Sequence, residues 1–224
     1  MATWIVTGAT RGIGLAFARA LVQRGERVVG TARRPESAEE LRSTGARVEK
    51  LDVADDASVA DFARRLANES VDVLIHNAAI GDAGPSIEHL DPGEVLRTLD
   101  VNAVGPVRLT RALLTNLRAG RTRKIVGITS GLGSLQQDTG GGWYAYRMAK
   151  AALNMFIRTL AEELAPERFA CVVICPGWVK TAMGGPEAPL TPEESVAAML
   201  KVIDRLTPSD TGRFLDRRGR DMPW

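Results

Sequence analysis

Short runs rich in β-branched and aliphatic residues alternate along the chain with longer stretches whose apolar positions recur every three or four residues. The short runs predict strands near 3–7, 27–31, 46–51, 71–76, 122–129 and 169–175, with a last near 212–215. The longer stretches predict helices near 12–24, 36–43, 55–68, 91–117, 144–164 and 192–206. Runs such as Val71-Asp72-Val73-Leu74-Ile75 and Cys171-Val172-Val173-Ile174 carry no consistently polar face. A strand needs that pattern when helices cover both sides of a parallel sheet. The order of elements therefore predicts an α/β fold, a doubly wound parallel sheet of about seven strands with helices on both faces.

Local chemistry marks the boundaries. Gly25 closes the first helix, Asp91-Pro92 opens the long middle one, and Thr191-Pro192-Glu193-Glu194 supplies a cap, an N1 proline and acids in a first turn. Neither a linker nor a repeat interrupts the pattern, so residues 1–224 read as one domain. Glycine-rich stretches at 131–142 and 184–189 follow strand C-terminal ends, where ligands bind in such sheets. Segments 81–90, 131–143 and 182–191 are the expected walls of a substrate pocket.

A formal charge of +2 is too small and too dispersed to argue for nucleic acid or a membrane surface. The arginines at 33–34, 121–123 and 217–220 read chiefly as solvated surface. The start Met1-Ala2-Thr3-Trp4-Ile5-Val6 runs straight into a strand, with no apolar leader, and no later run reaches membrane-spanning length. A cytoplasmic protein is expected. Cys171 and Cys175 share one predicted strand, about 13 Å apart at 3.3 Å per residue, which is beyond disulfide reach. Two buried, reduced thiols follow. No His, Cys or Asp cluster has metal-ligand spacing, so no metal is expected.

Candidate chemistry begins at the first strand-to-helix turn, Thr7-Gly8-Ala9-Thr10-Arg11-Gly12-Ile13-Gly14. Small residues there let backbone approach a pyrophosphate, and the next helix offers free N–H groups and the positive end of its dipole. This is the logic of a Rossmann dinucleotide site. An NAD site places a carboxylate after the second strand to hold the ribose 2′-hydroxyl. Here the chain has Thr31-Ala32-Arg33-Arg34. Arg33, with Arg11 in the glycine turn, suits a 2′-phosphate, so NADPH/NADP+ is expected ahead of NADH. Arg34 reads better as exposed cap region before Pro35.

Tyr146 and Lys150 stand four residues apart on a predicted helix and therefore share a face. A carbonyl accepting hydride develops charge on oxygen and needs a proton donor within hydrogen-bond reach. Tyr146 is the candidate donor. Its ordinary pKa is about 10, and shuttling near neutral pH asks for a downward shift of about two to three units. Lys150 and an oxidised nicotinamide would have to favour phenolate by roughly 3–4 kcal/mol. Tyr144 points to another face as a pocket-wall or packing residue. His76 reads as a satisfied supporting residue rather than a base, and Gln136, Gln137, Trp143, Trp178 and Met183 could line a substrate pocket, core packing being as good a reading for Trp178.

Seven motifs in order resemble the short-chain dehydrogenase/reductase superfamily across essentially the whole chain. They are Thr7-Gly8-x-x-x-Gly12-x-Gly14, Leu51-Asp52-Val53, Asn77-Ala78-Ala79, Val101-Asn102-Ala103-Val104-Gly105, Thr129-Ser130-Gly131-Leu132-Gly133, Tyr146-x-x-x-Lys150 and Pro176-Gly177-Trp178-Val179-x-Thr181. The stretch Gly140 to Arg147 and the tail Gly212-Arg213-Phe214-Leu215 to Pro223-Trp224 look like the C-factor and sniffer-type carbonyl reductases.

The resemblance implies an NADPH-dependent oxidoreductase acting on a small-molecule carbonyl or alcohol. Asn102, Ser130, Tyr146 and Lys150 would be its catalytic tetrad. Cofactor binding would involve Gly8, Thr10, Arg11, Gly12, Ile13, Gly14, Arg33, Asp52, Val53, Asn77, Ala78, Tyr146, Lys150, Pro176, Gly177, Val179 and Thr181. Lys150 would also bridge the nicotinamide ribose, and Asn102 would connect it to solvent through helix backbone and a water. A homodimer or homotetramer through helices 91–117 and 144–164 is implied as well. The C-factor pattern keeps open a cofactor-binding signalling or regulatory protein without essential turnover. Two positions depart from the pattern. Ala79 replaces the usual glycine, and Ser130 precedes Tyr146 by sixteen residues, about three more than usual, which makes Ser134 its rival. Ser130 directly ends its strand, where a fixed hydroxyl belongs.

Overall fold

The computed structural model describes every residue except Asp82, Ala83, Pro85, Asp138 and Thr139. One parallel sheet of seven strands runs through it in the order β3-β2-β1-β4-β5-β6-β7. The strands are β1 (Thr3–Val6), β2 (Arg27–Ala32), β3 (Arg47–Lys50), β4 (Val73–His76), β5 (Lys124–Ile128), β6 (Ala170–Cys175) and β7 (Phe214–Asp216). Val6 pairs with Gly30 on one side and Ile75 on the other, which aligns the C-terminal ends of β1, β2 and β4. Connections leave β1 toward β2 and return to β4 on its other side, so a crevice opens above the β1/β4 boundary.

Alternation along each strand feeds two cores. Trp4 and Val6 face α1 (Gly12–Gln23), α2 (Glu39–Ser43) and α7 (Pro192–Arg205), with Phe17, Leu21, Leu41 and Met199 fully buried there. Ile5 faces the opposite layer of α3 (Asp56–Arg65), α5 (Gly105–Ala119) and α6 (Tyr144–Leu164), against Phe62, Leu113 and Ile157. The expected caps form. Thr191 and Glu194 make a capping box on α7, and Asp91 accepts from the Gly93 N–H at the start of α4 (Pro92–Leu99). Among the described residues no helix is long and apolar enough to cross a membrane.

The expected single helix over 91–117 is two helices. A π-turn, Asp100–Val104, separates α4 from α5. Pro106 supplies the cause: it has no N–H to give the carbonyl of Asn102, and its ring crowds that carbonyl in a regular helix. The extra residue of a π-turn relieves the conflict and places Asn102 on the bulge. The expected helix at 36–43 is likewise broken, into a 3₁₀ turn at Pro35–Ser37 and α2. Both cysteines are free, Cys171 fully buried but Cys175 only half-buried, at the end of β6 that opens on the crevice.

Candidate active site

A cleft of about 470 Å³ lies over the C-terminal ends of β1 and β4. Of the residues expected to bind cofactor, only Gly177 and Val179 do not line it. Both are committed to the turn instead. Gly177 adopts φ +82 with Leu190 packed on its α-carbon, and Val179 is buried in a bridge to Leu190. The neighbouring Pro176 and Thr181 reach the cleft.

The glycine turn is held from below by Thr7 and Asn77. The buried Thr7 hydroxyl accepts the N–H groups of Asn77 and Ala78, each at 2.9 Å, while Asn77 Nδ2 donates to the carbonyls of Thr7 at 2.8 Å and Gly8 at 3.2 Å. These bonds lock β1 to the exit of β4. Gly8 has φ +63, and a Cβ there would lie 2.9 Å from the Ala78 α-carbon. At Gly14 a Cβ would lie 2.4 Å from the Gly8 carbonyl oxygen. Arg11 precedes α1 in extended conformation without a side-chain cap, so the helix's first N–H groups remain available to an anion. The exposed Arg11 and Arg33 border the same cleft; Arg34 does not. A backbone cradle that a Cβ would fill, a helix N-terminus and two guanidiniums together fit a phosphorylated dinucleotide.

At the other end stand Tyr146 and Lys150 on α6. Trp143 begins that helix in the left-handed region, φ 56, with its indole edge-on to Tyr146 at 5.6 Å. Arg147 braces the approach by donating to the carbonyls of Gly142 at 3.0 Å and Gly140 at 2.8 Å. Gly81 packs so closely on the Tyr146 ring that a Cβ would sit 2.5 Å from Cδ2. Lys150 is buried, donates to the Ile128 carbonyl at 2.7 Å and lies 5.5 Å from the Tyr146 ring centroid.

Burial pushes the Lys150 ammonium down to about 8 and the Tyr146 phenol up to about 12, a hydrogen bond with Ser130 opposing the latter. The expected lowering of Tyr146 is therefore not produced by the chain's own groups. Both shifts disfavour charge in a dry site, and Lys150 Nζ is engaged by the Ile128 carbonyl.

Ser130 leaves β5 in extended conformation and its Oγ accepts from the Leu132 N–H at 3.1 Å. Its rival Ser134 is spent elsewhere, donating to the Trp224 carbonyl and accepting from the Gln137 N–H. The buried Asn102 amide makes a two-point contact with Ile80, donating to its carbonyl at 2.7 Å and accepting its N–H at 2.8 Å. Neither Ser130 nor Asn102 lines the main cleft, whereas their neighbours Thr129 and Val101 do.

Other expectations divide. His76 is buried, shares a 2.8 Å hydrogen bond with Thr110 and is pushed to about 3 by burial, so it is neutral. Trp178 is 57% exposed, not packed in the core, its indole donating to the Gly184 carbonyl at 2.7 Å. Met183 lines the cleft, Trp143 and Tyr144 line an adjoining cavity, and Gln136 and Gln137 line a separate groove. Asp82, Ala83 and Pro85 of the expected 81–90 wall, and Asp138 and Thr139 of 131–143, lie outside the described residues. Sequence reasoning missed Thr7, Ile80, Arg97, Cys175 and Trp224. Thr7 opens the glycine motif and Arg97 lies one turn before Val101, but the other three carry no local signal. Cys175 accepts N–H groups from Gly177 and Gly131, and burial pushes its thiol up.

The short chain dehydrogenase family model matches residues 2–189. C-signal of Myxococcus xanthus is 47% identical over 163 residues, covering 73% of this chain and 98% of that protein. The carbonyl reductase Sniffer of D. melanogaster superposes with a TM-score of 0.92 at 33% identity, covering both chains completely. An NADPH-bound carbonyl reductase from chicken fatty liver gives 0.92 at 32%, covering 100% of this chain and 99% of that one. With the glycine turn, the Tyr146/Lys150 pair and the parallel sheet in place, the chain belongs to the short-chain dehydrogenase family.

Proposed function

We propose that the protein is an NADPH-dependent carbonyl reductase that converts an aldehyde or ketone to an alcohol, and the reverse under oxidising conditions. One observation carries the reading: a single cleft holds Arg11 and Arg33 at one end and the Tyr146/Lys150 pair at the other. Arg11 and Arg33 would pair with the 2′-phosphate, and the glycine turn and α1 N-terminus with the pyrophosphate. When bound, the reduced nicotinamide supplies the hydride that forms the new C–H bond.

The chain's own residues supply the proton. Tyr146 and Ser130 would donate hydrogen bonds to the carbonyl oxygen, strengthening as charge develops on it. Tyr146 Oη–H then breaks and the proton passes to the alkoxide, giving the alcohol. A phenol held near 12 is in the protonated form that this step requires. Lys150, one helical turn away, would hold the nicotinamide ribose and return a proton to Tyr146. Asn102 serves by position: its amide fixes the exit of β4 at Ile80, and its place on the π-turn would let backbone and water lead toward solvent.

Purified protein with NADPH and a panel of aldehydes and ketones should consume NADPH. Tyr146→Phe should abolish turnover while NADPH binding persists, and undiminished turnover in that variant overturns the mechanism. The identity with C-signal favours a second reading, in which dinucleotide binding rather than turnover carries a signal. Biological activity retained by Tyr146→Phe would support that alternative. A homodimer or homotetramer is also proposed. Exposed Val104, Val107, Met148 and Met155 lie on the π-turn, α5 and α6, the surface such an assembly would cover, and light scattering on the eluted protein decides it.

A further inference from the structure

A second cavity, of about 270 Å³, adjoins the cleft and shares Ile80, Arg97 and Tyr146 with it. Leu90, Trp143 and Tyr144 give it an apolar, aromatic wall. Its size is just below the usual range for small-molecule pockets, enough for one substituted ring. Because Tyr146 borders both spaces, a molecule seated here can present a carbonyl to the phenol.

Two charges of α4 border this cavity, Arg97 and Glu94. The one ion pair of Arg97, Nε to Glu94 Oε2, is 3.6 Å long between exposed side chains, and no hydrogen bond engages its guanidinium among the described residues. Arg118 and Arg213, by contrast, each hold a carboxylate in a two-point contact at 2.6–3.0 Å. Among the described residues the charged lining of the cleft is Arg11, Arg33, Arg97 and Lys150 against Asp52. Arg11 and Arg33 answer a 2′-phosphate and Lys150 belongs to the Tyr146 pair. Arg97 is left over, and it alone of the three arginines also borders the aromatic cavity.

Resting on the reductase reading, we propose that this cavity seats the substrate and that Arg97 receives a carboxylate on it. The preferred substrate class is an aromatic aldehyde or ketone bearing an acid group. Ring faces meet Trp143 and Tyr144, and the planar guanidinium, held by Glu94 only through a 3.6 Å contact at Nε, donates two N–H groups to the carboxylate.

The test compares 4-carboxybenzaldehyde with 4-methylbenzaldehyde, at saturating NADPH, in the wild type, Arg97→Gln and Arg97→Lys. Binding of 4-(hydroxymethyl)benzoate to the NADP+-loaded protein is measured in parallel by calorimetry. The wild type should prefer the carboxylated aldehyde, and Arg97→Gln should reduce the ratio of the two kcat/KM values about tenfold, with Arg97→Lys intermediate. The benzoate should bind about tenfold more weakly to Arg97→Gln. An unchanged ratio overturns the proposal, and equal loss on both aldehydes with weakened NADPH binding overturns it and assigns Arg97 to a cofactor phosphate. If the wild type reduces neither aldehyde but benzoate binding still depends on Arg97, the anion site stands and the reductase reading falls. Binding indifferent to Arg97 overturns the anion site.

Discussion

Trp224 offers the sharpest test of how the Ser130 loop is held. Its indole packs on Phe214 of β7 at 5.4 Å and under Arg158 of α6 at 5.0 Å. An aromatic pair contributes about 0.5–1.5 kcal/mol and an exposed cation–π contact about 0.5–1 kcal/mol. Trp224→Ala should therefore cost roughly 1–2.5 kcal/mol of stability. The ring also places its own carbonyl, which accepts from the Gln136 N–H at 2.9 Å and the Ser134 hydroxyl at 3.1 Å. Those two bonds, each about 0.5–1.5 kcal/mol, tie down the segment that begins at Ser130. Removing the ring keeps the carbonyl but loosens its seat. Displacing a reacting group by about 1 Å costs on the order of a hundredfold in rate, so partial loosening should lower carbonyl kcat/KM about tenfold. NADPH affinity, measured by fluorescence titration, should change less than about twofold, because the glycine turn lies at the far end of the cleft. Trp224→Phe should restore most of the rate. Full kcat/KM in Trp224→Ala, assayed well below its melting temperature, refutes the reasoning, as does a loss matched by weaker NADPH binding.

Three further outcomes follow from the same geometry. Arg33→Asp should weaken NADPH about tenfold or more relative to NADH; equal loss for both cofactors removes Arg33 from the 2′-phosphate. Gly14→Ala places a methyl 2.4 Å from the Gly8 carbonyl and 2.5 Å from Asn77 Nδ2, so the turn must shift and NADPH titration should show clear weakening; unaltered affinity contradicts the cradle. His76 is held to about 3 from an ordinary 6.5, so the unfolded chain binds more protons between those values and stability falls as pH drops through 6.5. Urea unfolding at pH 4.5 against pH 7.5 should show a loss of about 2–3 kcal/mol in the wild type that is missing from His76→Asn, and identical losses in both proteins exclude His76 as the source.

The parallel sheet was legible because doubly covered strands are apolar on both faces, a property Ile5 and Val6 carry without reference to anything distant. The break in the 91–117 helix was harder. Apolar periodicity continues across it, and the only sign is Pro106, whose missing N–H falls on Asn102 four residues back. Motif spacing located the cleft residues but not Gly177 and Val179, whose orientation is decided by Leu190 from across a loop. Trp224 was beyond reach for a related reason. Its contact with Ser134 spans ninety positions, and no local pattern reports which loop a tail meets.

The Tyr146/Lys150 spacing shows where a sequence argument must stop. Four residues on a helix secure proximity, but the sign of each pKa shift is decided by how dry the site is. Two glycines pack closely on the pair: a Cβ at Gly81 would be 2.5 Å from Tyr146 Cδ2, and one at Gly133 2.8 Å from the Lys150 Cβ. With those surfaces in contact, burial pushes the Tyr146 phenol up to about 12, so the chain's own groups leave it protonated at pH 7. In the proposed mechanism carbonyl reduction starts from that phenol and hands its proton to the alkoxide, and alcohol oxidation runs the same step in reverse. The same burial that opposes the simple expectation for Tyr146 thus keeps the proposed proton donor protonated at neutral pH.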